Sequence, residues 1–235
     1  MPITRTRKTV AAAALALTVA GGLGVTYASS SAEPTSARAG DVTTNATLRP
    51  LNNAAGSGKA EVMISGRDLH VVLQARHLLK GMPHAEHIHF GKKARHECPT
   101  VRDDDNGDHR LSTAEGQPAY GPVKVSLTTK GDTSPDSTLA VTRFPTAPKG
   151  RINYSRTIKV DRELADRIAA GKGVIVIHGI DYNHNGKYDF DGAGASELDP
   201  NLPAEATDPV LCGKLTVGTS GSTALTSLLD NLLNP

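Results

Sequence analysis

The sequence predicts an all-β domain, an antiparallel sandwich or flattened barrel, on three observations. Nine short strand-like runs recur along the 235 residues, punctuated by Gly, Pro, Asn and Asp. One segment alone inside the domain has clear helical spacing. Two cysteines, Cys98 and Cys212, stand far apart, placed to close a long loop.

The strand expectations, in chain order, are 45–49, 58–65, 68–75, 86–90, 123–128, 137–141, 151–160, 174–180 and 211–217. The helix covers 161–170, with Asp161 as its cap and Gly171 at its C-terminus. Residues 1–32 read as a secretory signal: Arg5, Arg7 and Lys8 form a basic start, and small apolar residues run from Thr9 to Ala28. Residues 33–45 are rich in Ser, Ala, Pro and Gly and read as a flexible linker. The domain itself is 46–217. The tail, 218–235, carries Leu225, Leu228, Leu229, Leu232 and Leu233 at the spacing of a short amphipathic helix.

Charge and composition exclude some partners. Lys and Arg number 26 against 24 Asp and Glu; without the three basic residues of the signal the balance is 23 against 24. That balance and the absence of Trp give no footing for nucleic acid. With the signal removed, no segment is apolar enough to span a membrane, so the chain reads as secreted or held in the cell envelope. In an exported chain, two cysteines default to one disulfide. The competing reading makes Cys98 a metal thiolate beside His96.

The richest chemistry lies in His84-Ala-Glu-His87-Ile-His89-Phe-Gly91. Side chains two apart on a strand share a face, so His87 and His89 can point at one metal ion. Val174-Ile-Val-Ile-His178 is a second strand ending in histidine. Three neutral imidazoles suit copper, nickel or zinc. The plain alternative is three half-buried histidines bonded to backbone. His70 and His77 have no convergent partners and read as surface or packing residues.

These pieces resemble the copper/zinc superoxide dismutase family, over roughly 58–215. The family stretch Leu-x-x-Gly-x-His-Gly-Phe-His-Val-His-x-x-Gly is similar to Leu78-Leu-Lys-Gly81-Met-Pro-His84-Ala-Glu-His87-Ile-His89-Phe-Gly91, with one extra residue after Gly81. The resemblance implies a Greek-key β-barrel with copper on His87, His89 and His178. It also implies a structural role for His84 and a Cys98–Cys212 disulfide, the second cysteine lying in Leu211-Cys212-Gly213-Lys214-Leu215. The chain departs from the family in three places. Asp104 and its neighbours stand where the metal-bridging histidine should fall, an acidic loop replaces the zinc loop, and Pro209 replaces the arginine that guides superoxide. His96 and His109 are the candidates for the missing ligand. The chordin-type domain is a neighbouring family with similar strands.

Two further segments match the calcium-loop pattern. The first has Asp104, Asn106, Asp108, Ser112 and Glu115 at positions one, three, five, nine and twelve. The second has Asp181, Asn183, Asn185 and Asp189, but Gly192 at position twelve, so a carboxylate must come from elsewhere; Asp189, Asp191 and Glu197 are the candidates. The plain alternative for both is solvated Asx turns.

The expectation is a secreted, dismutase-like copper protein with altered or lost dismutase activity, calcium serving structurally. The alternatives are an active copper-only dismutase acting on superoxide, and a non-catalytic, calcium-stabilised envelope module.

Overall fold

A computed structural model of the chain describes residues 41–218. The segment read as a secretory signal, residues 33–40 of the expected linker and the leucine-rich tail from residue 219 lie outside the described residues.

The order of elements is β1 (Val42–Pro50), β2 (Ser57–Ser65), β3 (Asp68–Arg76), β4 (Glu86–His89), α1 (Thr113–Tyr120), β5 (Val123–Ser126), β6 (Arg151–Lys159), α2 (Arg162–Ala169), β7 (Val174–His178), α3 (Ala204–Thr207), β8 (Pro209–Lys214) and β9 (Thr216–Val217). The strands form one curled antiparallel sheet in the order β5-β4-β7-β8-β1-β2-β3-β6, with β9 beside β1. Strands β3 and β6 are neighbours, and so are β4 and β7, although neither pair is consecutive. Such crossings belong to a Greek key. The all-β expectation holds, in a form consistent with a sandwich.

The two halves of the sheet are built from different sequence patterns. β3 alternates: Leu69, Val71, Leu73 and Ala75 are buried, while the residues between them are more exposed. Its partner β6 buries Ile152, Tyr154 and Ile158. One face of this half therefore makes core and the other meets water. In β4 and β7 every residue is buried. Ile88, Ile175 and Ile177 enter the main core with Leu48, Leu69, Leu73, Leu211 and Leu215, each worth about 1.5–3 kcal/mol on burial. The opposite face of β4 and β7 is covered by α1 and by the turns around residues 135–143, and that covered face carries the histidines.

Three expectations are corrected. Residues 137–141 are not a strand: Pro135–Ser137 and Val141–Arg143 form single 3-10 turns. Ser134 caps the first turn and Pro135 fixes its opening φ, which favours a turn over extension. The helix at 161–170 is present as α2, capped by Asp161 bonding Leu164 N, but α1 and the short α3 accompany it. Gly116 and Pro118 lower the helical propensity of α1 and hid it. A reciprocal cap compensates, Ser112 taking Glu115 N–H while Glu115 takes Ser112 N–H. β1 also opens at Val42, three residues before the expected start.

Cys98 and Cys212 form a disulfide, which excludes the thiolate reading of Cys98. Cys212 packs with Tyr120, Val174 and Val176 on the covered face. The disulfide thus ties the long segment after β4 to β8.

A three-histidine candidate metal centre

β4 and β7 are antiparallel neighbours in which His87 faces Val176 and His89 faces Val174. Alternation puts His87 and His89 on one face. Alternation along β7 puts His178 on the same face as Val174 and Val176, so it joins His87 and His89 at the end of the strand. Gly179 follows at φ +106°, a conformation that glycine adopts freely, and turns the chain away.

Each imidazole is held by one backbone carbonyl. His87 Nε2 donates to Thr138 O at 3.2 Å, His89 Nδ1 to Gly121 O at 2.8 Å, and His178 Nδ1 to Thr207 O at 2.6 Å. A carbonyl only accepts, so the bonded nitrogen carries the proton and the other keeps its lone pair. The remaining nitrogens, His87 Nδ1, His89 Nε2 and His178 Nε2, are buried and have no hydrogen-bond partner. One nitrogen from each ring lies within 4.8 Å of the others. The ring centroids are 5.2–5.9 Å apart.

Burial lowers the pKa of all three. His178 falls to about 4 through burial alone, against one favourable bond from Thr207. His89 falls to about 3 through burial and the charge of His178. His87 lies well below the usual range for the same reasons. At neutral pH the three are neutral, the form that binds a metal.

Three buried, neutral histidines, each with one unpaired nitrogen and grouped closely enough to hold one ion, fit a metal better than a core packing role, since an unpaired buried polar atom costs about 1–3 kcal/mol. Among the described residues these three form the one such group of His, Cys, Asp or Glu. The carboxylates of the two acidic loops do not come together in that way.

The other histidines stand apart. His84 is buried, with Nδ1 2.9 Å from His178 O and 3.2 Å from Tyr188 Oη. It braces the end of β7 and is structural. His96 stacks on Phe90 at 5.2 Å, and His109 is exposed with positive φ. Neither joins the group. His70 bonds Thr157 Oγ1 on the outer face of the sheet.

In the first acidic loop, Asp104 accepts from the N–H of Gly107 and His109, and Asn106 and Asp108 accept from residues two further on. Glu115 takes Asp105 N–H and Ser112 N–H. In the second loop, Asp181 accepts from Asn185 and Gly186 N–H, and Asn183 accepts from Asn185 N–H. The Asn185 amide bonds Asp189 and holds its carboxyl down to about 2.

The residue that sequence reasoning missed here is Glu205, on α3 and fully buried. It takes Tyr182 N–H and Asp189 N–H at 2.7 and 2.9 Å, positions two and nine of the second loop. Glu115 makes the same two bonds in the first loop. A Cβ on Gly192 would overlap the Glu205 carboxylate, so the glycine at position twelve is the gap that Glu205 fills. Glu197 instead accepts from Ala114 N at the start of α1, and Asp191 is exposed.

Both loops reach the histidines. Thr113 Oγ1 donates to Thr207 O, the carbonyl that also holds His178. Arg110 of the first loop pairs with buried Asp208 at 2.9 Å, and Tyr182 of the second donates to the same carboxylate at 3.1 Å. Burial pushes Asp208 up to about 6 against the pull of Arg110.

No family model matches the chain, and no curated protein matches it. The fold and site together define an all-β, disulfide-bonded protein in which three histidines could hold one metal ion.

Proposed function

We propose that this chain is an exported copper-binding protein of dismutase-like fold with altered or lost dismutase activity. The observation that carries the reading is the set of three orphaned nitrogens: His87 Nδ1, His89 Nε2 and His178 Nε2. Two Nε2 donors and one Nδ1 donor, each with its tautomer fixed by a carbonyl, make a preorganised ligand set. Copper bound there with an open position supplies one-electron chemistry. The chain's own part is to keep the imidazoles neutral, orient them, and bury them away from bulk water. Pro209, in the place of a guiding arginine, supports weak superoxide turnover.

The test is metal content by mass spectrometry after equilibration with copper and zinc together, followed by superoxide decay on the loaded protein. About one copper per chain, lost in His87→Ala, with slow decay, is the expected result. Fast, copper-dependent decay would replace the proposal with an active copper-only dismutase. No copper would overturn both.

A second reading, calcium in the two acidic loops, is favoured by the matching roles of Glu115 and Glu205. Oxygen-rich loops suit calcium, and an ion there would stiffen the segments that hold Thr207 and Asp208. A calcium-dependent rise in melting temperature, lost in Glu205→Gln, is the expected outcome. An unchanged melting temperature would remove this reading.

A further inference from the structure

We propose that the recess above the three histidines receives a small neutral molecule with about one ring of apolar surface, and disfavours small anions. The donor atom that such a molecule would present at its inner end rests on the metal-centre reading; the selection for a neutral, apolar body rests on the recess itself.

The recess has a volume of about 260 Å³, with His87, His89 and His178 in its lining. An enclosed apolar cavity of about 150 Å³ is enough to hold benzene. Among the described residues the wall includes Pro122, Pro135, Leu139, Val141 and Leu198, and no Lys, Arg, Asp or Glu. Val141 and Leu198 are 36% and 43% exposed, large apolar side chains left facing water. The three threonine hydroxyls of the wall are already used: Thr113 donates to Thr207 O, Thr138 to Pro135 O and Thr207 to Ser196 Oγ.

Charge points the same way. The charges that act on Tyr120, which also lines the recess, come from Asp208 and Glu197, and both are acidic. Arg110 is engaged with Asp108 and Asp208. A bound metal would attract an anion by its own charge, but among the described residues no Lys or Arg lines the recess. An apolar ring gains by covering the exposed wall.

The experiment is an NMR titration of the full chain, following the methyl groups of Leu139, Val141 and Leu198. Phenol and sodium azide are added separately to metal-free protein and to protein offered copper(I). Phenol is expected to shift the methyls saturably in both forms, and azide to leave them unmoved in the metal-free form. Val141→Asp and Leu198→Asp, both at exposed positions, are expected to weaken phenol binding about tenfold or more. Absence of saturable phenol shifts, or tighter binding of azide than of phenol to the copper form, would overturn the proposal. Phenol binding without copper uptake would remove the metal-centre reading and keep the recess. Copper uptake without phenol binding would do the reverse.

Discussion

His178 Nδ1 lies 2.6 Å from the carbonyl oxygen of Thr207, and this contact decides which nitrogen of His178 faces the other two imidazoles. Thr207 ends α3, two residues after Glu205 and next to Asp208. The hydrogen bonds that order the two acidic loops therefore end on the segment that sets a histidine tautomer. Packing on one side, a long loop on the other and a carbonyl between them account for the site's geometry.

The first prediction concerns acid. In the unfolded chain His178 titrates near 6.5; in the folded chain it is lowered to about 4. The unfolded state binds more protons below pH 6.5, so the stability of the metal-free protein is complete above that pH. It is lost as pH falls toward 4, by roughly 3 kcal/mol for His178. Glu86 and Asp208, both raised by burial, titrate with the opposite sign. Urea unfolding of wild type and His178→Gln across pH 6.5–4 isolates the histidine. The variant is expected to lose less stability over that window, and parallel curves would contradict the burial argument.

The second concerns Glu205. Its carboxylate satisfies backbone N–H groups of Tyr182 and Asp189 inside a fully buried setting. Glu205→Ala leaves them unpaired and is expected to cost about 2–4 kcal/mol. Glu205→Gln keeps one acceptor and should cost less. Calorimetry on both variants checks the order; equal, negligible losses would mean the loop does not depend on this residue.

Strand patterns were readable because burial forces periodicity. The runs that became β2, β3, β6 and β7 were placed within a few residues, and His87, His89 and His178 could be singled out from spacing. The rest of the site was hidden for a physical reason. Gly121, Thr138 and Thr207 act through their carbonyls, and a carbonyl leaves no mark on side-chain identity. Thr138 even fell inside a segment expected to be a strand. Glu205 was missed because its loop lies well upstream, and the one trace of their meeting was a glycine where the calcium pattern has glutamate.

The third prediction concerns the disulfide. Cys98 and Cys212 are 114 residues apart, and loop entropy gives such a closure about 5 kcal/mol. Cys212 also packs on Tyr120, whose ring lies 4.5 Å from that of His89. Reduction, or the double change to serine, should lower the urea midpoint and weaken metal uptake together. Stability lost without any change in metal affinity would show that the disulfide is not coupled to the histidines.

The most direct test is nitrogen-15 NMR of the histidine rings in the metal-free protein at neutral pH, repeated after one equivalent of copper(I). Before the metal, His89 and His178 should be protonated at Nδ1 and His87 at Nε2. Afterwards His87 Nδ1, His89 Nε2 and His178 Nε2 should shift together, with the protons on the other nitrogens retained. Other tautomers in the free protein, or three resonances unmoved by copper(I), would contradict the account.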